Sequence, residues 1–191
     1  VVVRSAPSWK ARPARHWSRE RGHWEFDPAD PAAAAHDPAF DDSAWSSAVA
    51  LPDRWQPRVL SEIPPRAEIV WPPVAATAFP LDLRAGDGRV AVRFGRVIPA
   101  YLGVDVEGGA GGTLWLEPNE PDAPGYHRRF AVRLTGGRTV VEAPYMDSFS
   151  VVNLRVEGTA APVRVHGLRA CAVSQPVAYR GAFASSDPAL N

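Results

Sequence analysis

The sequence has one cysteine, one methionine and one lysine among its 191 residues, and its 21 basic and 21 acidic residues leave no net charge. The single cysteine, Cys171, excludes an internal disulfide and a zinc site built from several cysteines. Nucleic acids and anionic membranes attract basic surfaces, so a neutral chain argues against both as partners. No apolar run is long enough to cross a bilayer. Cys171 lies in the apolar run Leu168–Val173, which predicts a small buried side chain rather than a nucleophile.

The motifs of several chemistries are also missing. The five histidines show neither HxH nor HExxH spacing, which excludes the common zinc patterns. The chain has no phosphate-binding loop and no G-x-S-x-G nucleophile turn. Glu117, Glu120 and Glu142 follow predicted strands without a partner carboxylate identifiable by spacing, so we expect charges at the rim of the fold rather than a glycosidase pair. We predict no metal, no cofactor and no catalytic residue. The segment shows no signal peptide and leaves cytoplasmic and secreted locations both open.

The first 73 residues are predicted to form a loop-rich lead-in. Five of the seven tryptophans and much of the proline lie in the first seventy residues. Helical periodicity is weak there, and Ala32–Ala35 is expected to form at most one short turn. Disordered segments rarely carry so many aromatic residues, so this region is expected to be ordered.

Five aspartates lie close together in this lead-in, at Asp27, Asp30, Asp37, Asp41 and Asp42. A calcium loop also uses several oxygen ligands, but this spacing matches no EF-hand. Three of these aspartates directly precede proline, and Asp-Pro pairs favour turns. Turn formation and capping are therefore the expected roles.

From about residue 74 to residue 178, apolar residues recur at every second position. Short alternating strands about ten residues apart, punctuated by glycine, are typical of an antiparallel β-sandwich. We therefore predict an all-β, jelly-roll-like sandwich with one buried and one solvated face on each strand. The alternating runs are Val90–Phe94, Leu102–Val106, Leu114–Leu116, Phe130–Leu134, Val152–Val156 and Val163–Val165.

A glycine-rich run separates two of these strands. We predict that Gly108–Gly112 is a hairpin connection between its flanking strands.

Trp115 is the candidate contact residue on these strands. It alternates with Leu114 and Leu116, so its ring should face solvent or another domain. Sugars stack on such rings, and neighbouring domains also pack on them. The predicted carbohydrate contacts are Trp115, Glu120 at the strand end, and Tyr126 and His127 in the next long loop.

The last residues predict the start of a helix. Asp187 is a good N-cap, and Pro188 suits the first helical position because its missing N–H is not needed there. We therefore expect the chain to be a segment of a longer protein.

Three stretches together resemble parts of bacterial glycoside hydrolases. Phe40–Trp45, followed by Ala50–Trp55, resembles the F-D-D-S-x-W…L-P-x-x-W pattern of their jelly-roll domains. Phe94–Val106, running into Gly111–Leu116, is similar to the F-G-R-E…V-x-G…V-x-L stretch of bacterial α-L-rhamnosidases. Val177–Asn191 looks like the junction in that family where a strand leads into the first helix of the (α/α)6 catalytic barrel.

The resemblance has clear departures. Val97 stands where the family pattern has an acidic residue, and Trp115–Glu120 is an altered form of the L-x-Y-G-E run. The chain therefore resembles a divergent member of the family.

The resemblance implies that this chain is the non-catalytic β region of an inverting hydrolase that releases terminal α-L-rhamnose. The general acid and base would lie on loops of the barrel, so no catalytic residue transfers to this sequence. Residues 179–191 would be the junction to the chain's own downstream (α/α)6 domain, its expected partner, with carbohydrate as a further candidate. Two alternatives remain: a carbohydrate-binding module, and a purely structural sandwich between domains.

Overall fold

The computed structural model describes residues 9–13, 15–20, 23–35, 37–49, 67–71, 78–120, 128–174 and 186. The regular elements among these residues are strands, apart from one short 3-10 turn at Pro31–Ala34. No helix among them has the length and apolarity to cross a membrane. The strands are β1 (Lys10–Ala11), β2 (Trp17–Glu20), β3 (His23–Phe26), β4 (Ser46–Ser47), β5 (Ala67–Trp71), β6 (Leu81–Leu83), β7 (Val90–Gly108), β8 (Thr113–Asn119), β9 (Arg129–Arg133), β10 (Arg138–Glu157) and β11 (Val163–Ser174).

The main sheet has the strand order β2-β3-β9-β8-β10-β7-β11-β5, with β6 paired to the start of β11, and β1 pairs only with β4. This sheet folds into two layers because β7 and β10 run through both. The front layer contains β2, β3, β9 and β8 with the last part of β10 and the first part of β7. The back layer contains the rest of β7 and β10 with β11, β5 and β6. The architecture is the predicted all-β sandwich.

A bulge in the pairing of β10 with β7 marks the passage from back layer to front layer. Phe149 pairs with Ile98 and Val151 with Arg93, so one residue of β10, Ser150, lies opposite four residues of β7, at 94–97. Buried side chains occupy odd positions of β10 before the bulge, such as Phe149, and even positions after it, such as Val152 and Leu154. Because strand side chains alternate with period two, this change from odd to even buried positions exchanges the two faces of β10. The bulge therefore keeps the apolar side chains of β10 in the core of both layers.

One apolar core lies between the layers. Trp24 of the front layer and Tyr145 of the back layer meet across it, with ring centroids 6.4 Å apart. Trp17 packs on Phe26 at 4.9 Å and on Phe130 at 5.5 Å. Cys171 is buried, as the sequence predicted. The largest fully buried side chains include Phe130, Phe149, Leu114, Leu116 and Leu154.

Part of the N-terminal lead-in belongs to this sheet. β2 and β3 extend the front layer, and β5 extends the back layer along β11. The pairing of β3 with β9 is parallel, and it is the exception to the predicted antiparallel pattern among the described strands. The division at residues 73 and 74 stays a prediction, while the junction at residues 179–191 lies almost wholly outside the described residues.

The connection at Gly108–Gly112 differs from the predicted hairpin. β7 and β8 are not neighbours, because the last part of β10 lies between β8 and the first part of β7. The segment instead carries the chain from the back layer to the front layer. Gly109 has φ 63°, and a Cβ there would lie 2.5 Å from a methyl group of Val163. Only glycine fits such a tight passage between layers.

The turns of the lead-in follow the sequence prediction. The carboxylate of Asp30 accepts a hydrogen bond of 2.7 Å from the amide of Ala32 and caps the 3-10 turn. The carboxylates of Asp27, Asp37 and Asp41 each accept a 2.9 Å bond from the amide two residues later. Such bonds replace a backbone turn. These four carboxylates are therefore used in local turns.

The F-D-D-S-x-W segment packs within the lead-in. The rings of Phe40 and Trp45 meet edge to face at 5.6 Å. The guanidinium of Arg12 lies 5.8 Å from the centroid of the Trp45 ring and donates to the carboxylate of Asp30 at 3.1 Å. The side chains of Phe40, Trp45, Arg12 and Arg15 line a cleft of about 440 Å³. The motif therefore joins the strand pair β1–β4 to the 3-10 turn.

The buried ring of Phe130 tests the core. We expect Phe130→Ala to lower the free energy of unfolding by about 3–5 kcal/mol, because it removes a fully buried ring and leaves a cavity. Urea denaturation measures the change. Val140→Ala, on a side chain 55% exposed, is the control and should stay within about 0.5 kcal/mol of the parent. Equal effects of the two substitutions would contradict the burial of Phe130.

Candidate functional site

The outer surface of the front layer, which we call the front face, carries the main candidate residue. Along β8, the inward residues are buried and the outward residues are half-buried. Trp115 therefore lies on the front face, where the alternation predicts it. Cross-strand pairing places it beside Ala131 of β9 and Arg155 of β10. Neighbouring strands thus decide which side chains surround the ring.

The Trp115 ring is part of a contact network. Its indole N–H donates to a carboxylate oxygen of Glu157 at 2.8 Å. His23 meets the ring edge-on, with centroids 4.7 Å apart. The guanidinium of Arg155 lies 5.8 Å from the ring centroid and pairs with Glu157. A sugar that stacks on this ring would have to share it with His23 or Arg155.

One carboxylate next to Trp115 is surrounded by three arginines. The Glu117 side chain is 12% exposed and accepts a 2.8 Å hydrogen bond from Nε of Arg89. Its other oxygen, Oε1, lies 3.8 Å from Nε of Arg129 and 3.7 Å from Nη2 of Arg155. These two distances exceed hydrogen-bond length, and Oε1 has no hydrogen-bond partner among the described residues. We call Glu117, Arg89, Arg129 and Arg155 the arginine cluster.

A second charged group lies on the same face. Arg133 pairs with Glu25 and lies 3.9 Å from Asp27. His23 lies 3.8 Å from the Glu25 carboxylate. Opposite charges thus alternate across β3 and β9, which reduces repulsion between the arginines.

Of the other carbohydrate contacts predicted from the sequence, one lies within the described residues and two lie outside them. Glu120 follows the end of β8, is half-buried, and forms no ion pair with a described residue. Tyr126 and His127 lie outside the described residues. The four predicted carbohydrate contacts therefore stay a prediction, and the structure locates only Trp115 and Glu120.

Three described carboxyl groups have clearly shifted pKa values, and all three are lowered. Backbone donation from Ser43 lowers the pKa of Asp41, and hydrogen bonds from Arg164 and Arg138 lower the pKa values of Asp82 and Asp105. A glycosidase general acid needs the opposite, a raised pKa that keeps it protonated. Within the described ranges, no three His, Cys, Asp or Glu side chains come together to hold a metal ion.

The three arginines of the cluster were not among the sequence candidates. Period-two alternation assigns Arg129 and Arg155 to exposed faces, but several other described strands also carry arginines. The three arginines are identified only by the register of the strands, because the pairing of β8 with β9 and β10 brings them around Glu117. The register comes from hydrogen bonds between segments distant in sequence.

Replacing the shared carboxylate tests the arginine cluster. We expect Glu117→Gln to lower the free energy of unfolding by about 1–3 kcal/mol. The substitution removes a half-buried carboxylate that accepts from arginines, and it leaves three guanidinium charges close together. Chemical denaturation at low and at high salt measures the loss of stability, which should be smaller at high salt because salt screens the repulsion.

Glu107→Gln is the matched control. Glu107 contacts His166 at 2.9 Å on the back layer and is half exposed, so we expect a change of about 0.5 kcal/mol or less. If the two variants were equally stable at both salt concentrations, the cluster would have no structural role.

No family model and no curated protein matches this chain. Solved structures do resemble it. A GH78-family rhamnosidase of Bacillus sp. GL1 superposes with a TM-score of 0.50 at 24% identity, covering 62% of this chain and 13% of that chain. A rhamnosidase from Klebsiella oxytoca, solved with rhamnose bound, superposes with a TM-score of 0.53 at 20% identity, covering 67% of this chain and 33% of that one. The described sandwich thus has a rhamnosidase-like fold and spans a third or less of the length of these enzymes.

Proposed function

We propose that this chain is a non-catalytic accessory β-sandwich segment of an α-L-rhamnosidase-like inverting glycoside hydrolase. The parent enzyme would act on rhamnose-containing glycans or glycosides. The observation that carries this proposal is the fold shared with two rhamnosidases, of which the chain matches only a small part. The resemblance of stretches in this sequence to patterns of the rhamnosidase family is a second line of support.

The electrostatics agree with a non-catalytic role. An inverting glycosidase needs one protonated and one ionised carboxyl group, about 6.5–9.5 Å apart, on either side of the sugar. The clearly shifted carboxyl pKa values among the described residues all move downward, and their causes are turn amides or arginines. The placement of the catalytic carboxylates on the proposed helical barrel rests on the resemblance to the rhamnosidase family.

An apolar row on the outer surface of the back layer suits packing against that barrel. The register aligns Met146 of β10, Tyr101 of β7, Cys171 of β11 and Val70 of β5 across four adjacent strands. Met146 and Val70 are 49% and 58% exposed at its two ends. Cys171 between them is buried, with 7% exposure, so the exposed apolar surface is at the two ends of the row, and exposed apolar surface is a feature of contact surfaces. We assign this row to the contact with the downstream (α/α)6 domain.

An activity assay tests the accessory role. We expect the 191-residue chain to leave an aryl α-L-rhamnoside intact, because the carboxylate pair would lie on the barrel, whereas the full-length parent should hydrolyse it with inversion. Release of the aryl group, followed by absorbance, measures this. Full-length inactivity on a panel of rhamnosides would refute the substrate, and hydrolysis by the segment alone would refute the non-catalytic role.

A second candidate function is carbohydrate binding at the front face. The specific observation in its favour is the ring of Trp115 with the exposed arginines of the cluster around it. Arg89 and Arg129 are both 57% exposed, and their shared partner Glu117 is the next outward residue after Trp115 on β8. Planar rings and guanidinium donors are groups that protein sites use to contact saccharides. In this function the segment would hold a glycan near the catalytic domain.

Calorimetric titration with a rhamnose-containing oligosaccharide tests this second function. We expect Trp115→Ala to weaken binding about tenfold, because the ring supplies apolar contact, and Trp115→Phe to retain most of it. Thermal melting of both variants controls for folding, since Trp115 also donates to Glu157. No binding by the intact, folded segment would refute carbohydrate binding and favour a purely structural sandwich.

A further inference from the structure

The arginine cluster holds more donors than its carboxylate can use. Arg89 forms one hydrogen bond with Glu117, through Nε, and its terminal nitrogens form none with a described residue. Arg129 lies 3.8 Å from Glu117 and forms no hydrogen bond with any described residue. Both side chains are more than half exposed, so these donors face outward from the front face. They are in position to receive an acceptor from solution.

The local charge also favours an anion. The cluster and its neighbour Glu157 combine three guanidinium cations with two carboxylates, which leaves one positive charge. Glu117 and the sheet register keep the three arginines together, at the cost of their mutual repulsion. An arriving carboxylate would relieve that repulsion and accept two parallel N–H bonds from one planar guanidinium.

The surrounding side chains suit a sugar rather than a bare ion. Trp115 lies on one side of the cluster, and the amide of Asn153 lies beside Glu117 in the register between β8 and β10. Asn119, the next outward residue of β8, is half-buried on the same face. Amide groups donate to and accept from hydroxyl groups, while a ring contacts the C–H face of a pyranose.

We propose that the arginine cluster binds the carboxylate of an acidic sugar, a uronic acid residue, through Arg129 and Arg89. This inference rests on the second candidate function and specifies its ligand. Glu117 acts as a positioning residue for the two exposed guanidiniums, with Arg89 at one of its carboxylate oxygens and Arg129 near the other. The parent enzyme would then contact glycans in which uronic acids accompany the hydrolysed sugar.

Paired ligands test the charge directly. The 191-residue chain is titrated by calorimetry with a galacturonic acid trimer and with the same trimer as its methyl ester, which keeps the ring and removes the charge. We expect the free acid to bind about tenfold more tightly than the ester at low salt, because the ester forms no ion pair, and the preference should shrink in high salt. Inorganic phosphate is a third ligand and should bind more weakly than the acid trimer.

Matched arginine variants locate the site. Arg129→Gln should weaken binding of the acid trimer about tenfold and leave binding of the ester unchanged. Arg164→Gln is the control, because Arg164 is similarly exposed at 53% but lies on β11 of the back layer, paired with Asp82. If Arg129→Gln lowers the melting temperature so far that the variant is not folded during the titration, Arg89→Gln is used for the same test.

The outcomes separate this inference from the function on which it rests. Equal binding of acid and ester, with both weakened by Trp115→Ala, would keep carbohydrate binding and overturn the acidic ligand. An acid preference that survives both arginine substitutions would overturn this site. Phosphate binding as tight as the acid trimer would overturn the sugar assignment. If the trimers and a neutral rhamnose oligosaccharide all fail to bind, both proposals are refuted.

Discussion

The ladder between β7 and β10 is the contact on which the rest of this structure depends. The two strands pair from Arg138 with Glu107 to Leu154 with Val90, so one ladder passes through both layers of the sandwich. Every other strand of the main sheet attaches to this pair directly or through a neighbour. At the bulge where Ser150 of β10 faces residues 94–97 of β7, the buried positions of β10 change from odd to even numbers, so β10 presents apolar side chains to the core in both layers.

The same ladder explains where the candidate site lies. The last part of β10 brings Arg155 beside β8, and β8 brings Trp115 and Glu117 beside β9. The outward positions of three strands are thereby brought together on one face. Glu117 is the carboxylate that all three arginines share, so its charge offsets their repulsion where water is partly excluded. The face is therefore held together by electrostatics, while its strands are fixed by the apolar core beneath.

The sequence predicted which face of the sheet a residue of this site occupies, but it did not predict which side chains that residue contacts. The alternation around Leu114 and Leu116 was enough to place Trp115 on an outer face, and the structure agrees. It could not show that the indole N–H binds Glu157, which is 42 residues away in the chain. Nor could it select Arg89, Arg129 and Arg155 from the many arginines, since each becomes informative only beside Glu117. Tyr126 and His127 lie outside the described residues and stay predictions.

Some features of this protein were determined by the sequence alone, because they depend on neighbours within a few residues. Period-two alternation determined the all-β class, and the aspartates at Asp27, Asp30, Asp37 and Asp41 determined their own turns through bonds to amides two residues ahead. The tertiary structure alone decided the partners of each strand. It made Gly108–Gly112 a passage between layers, made the pairing of β3 with β9 parallel, and assembled the arginine cluster. Those outcomes depend on hydrogen bonds and core packing between distant segments, which no local pattern encodes.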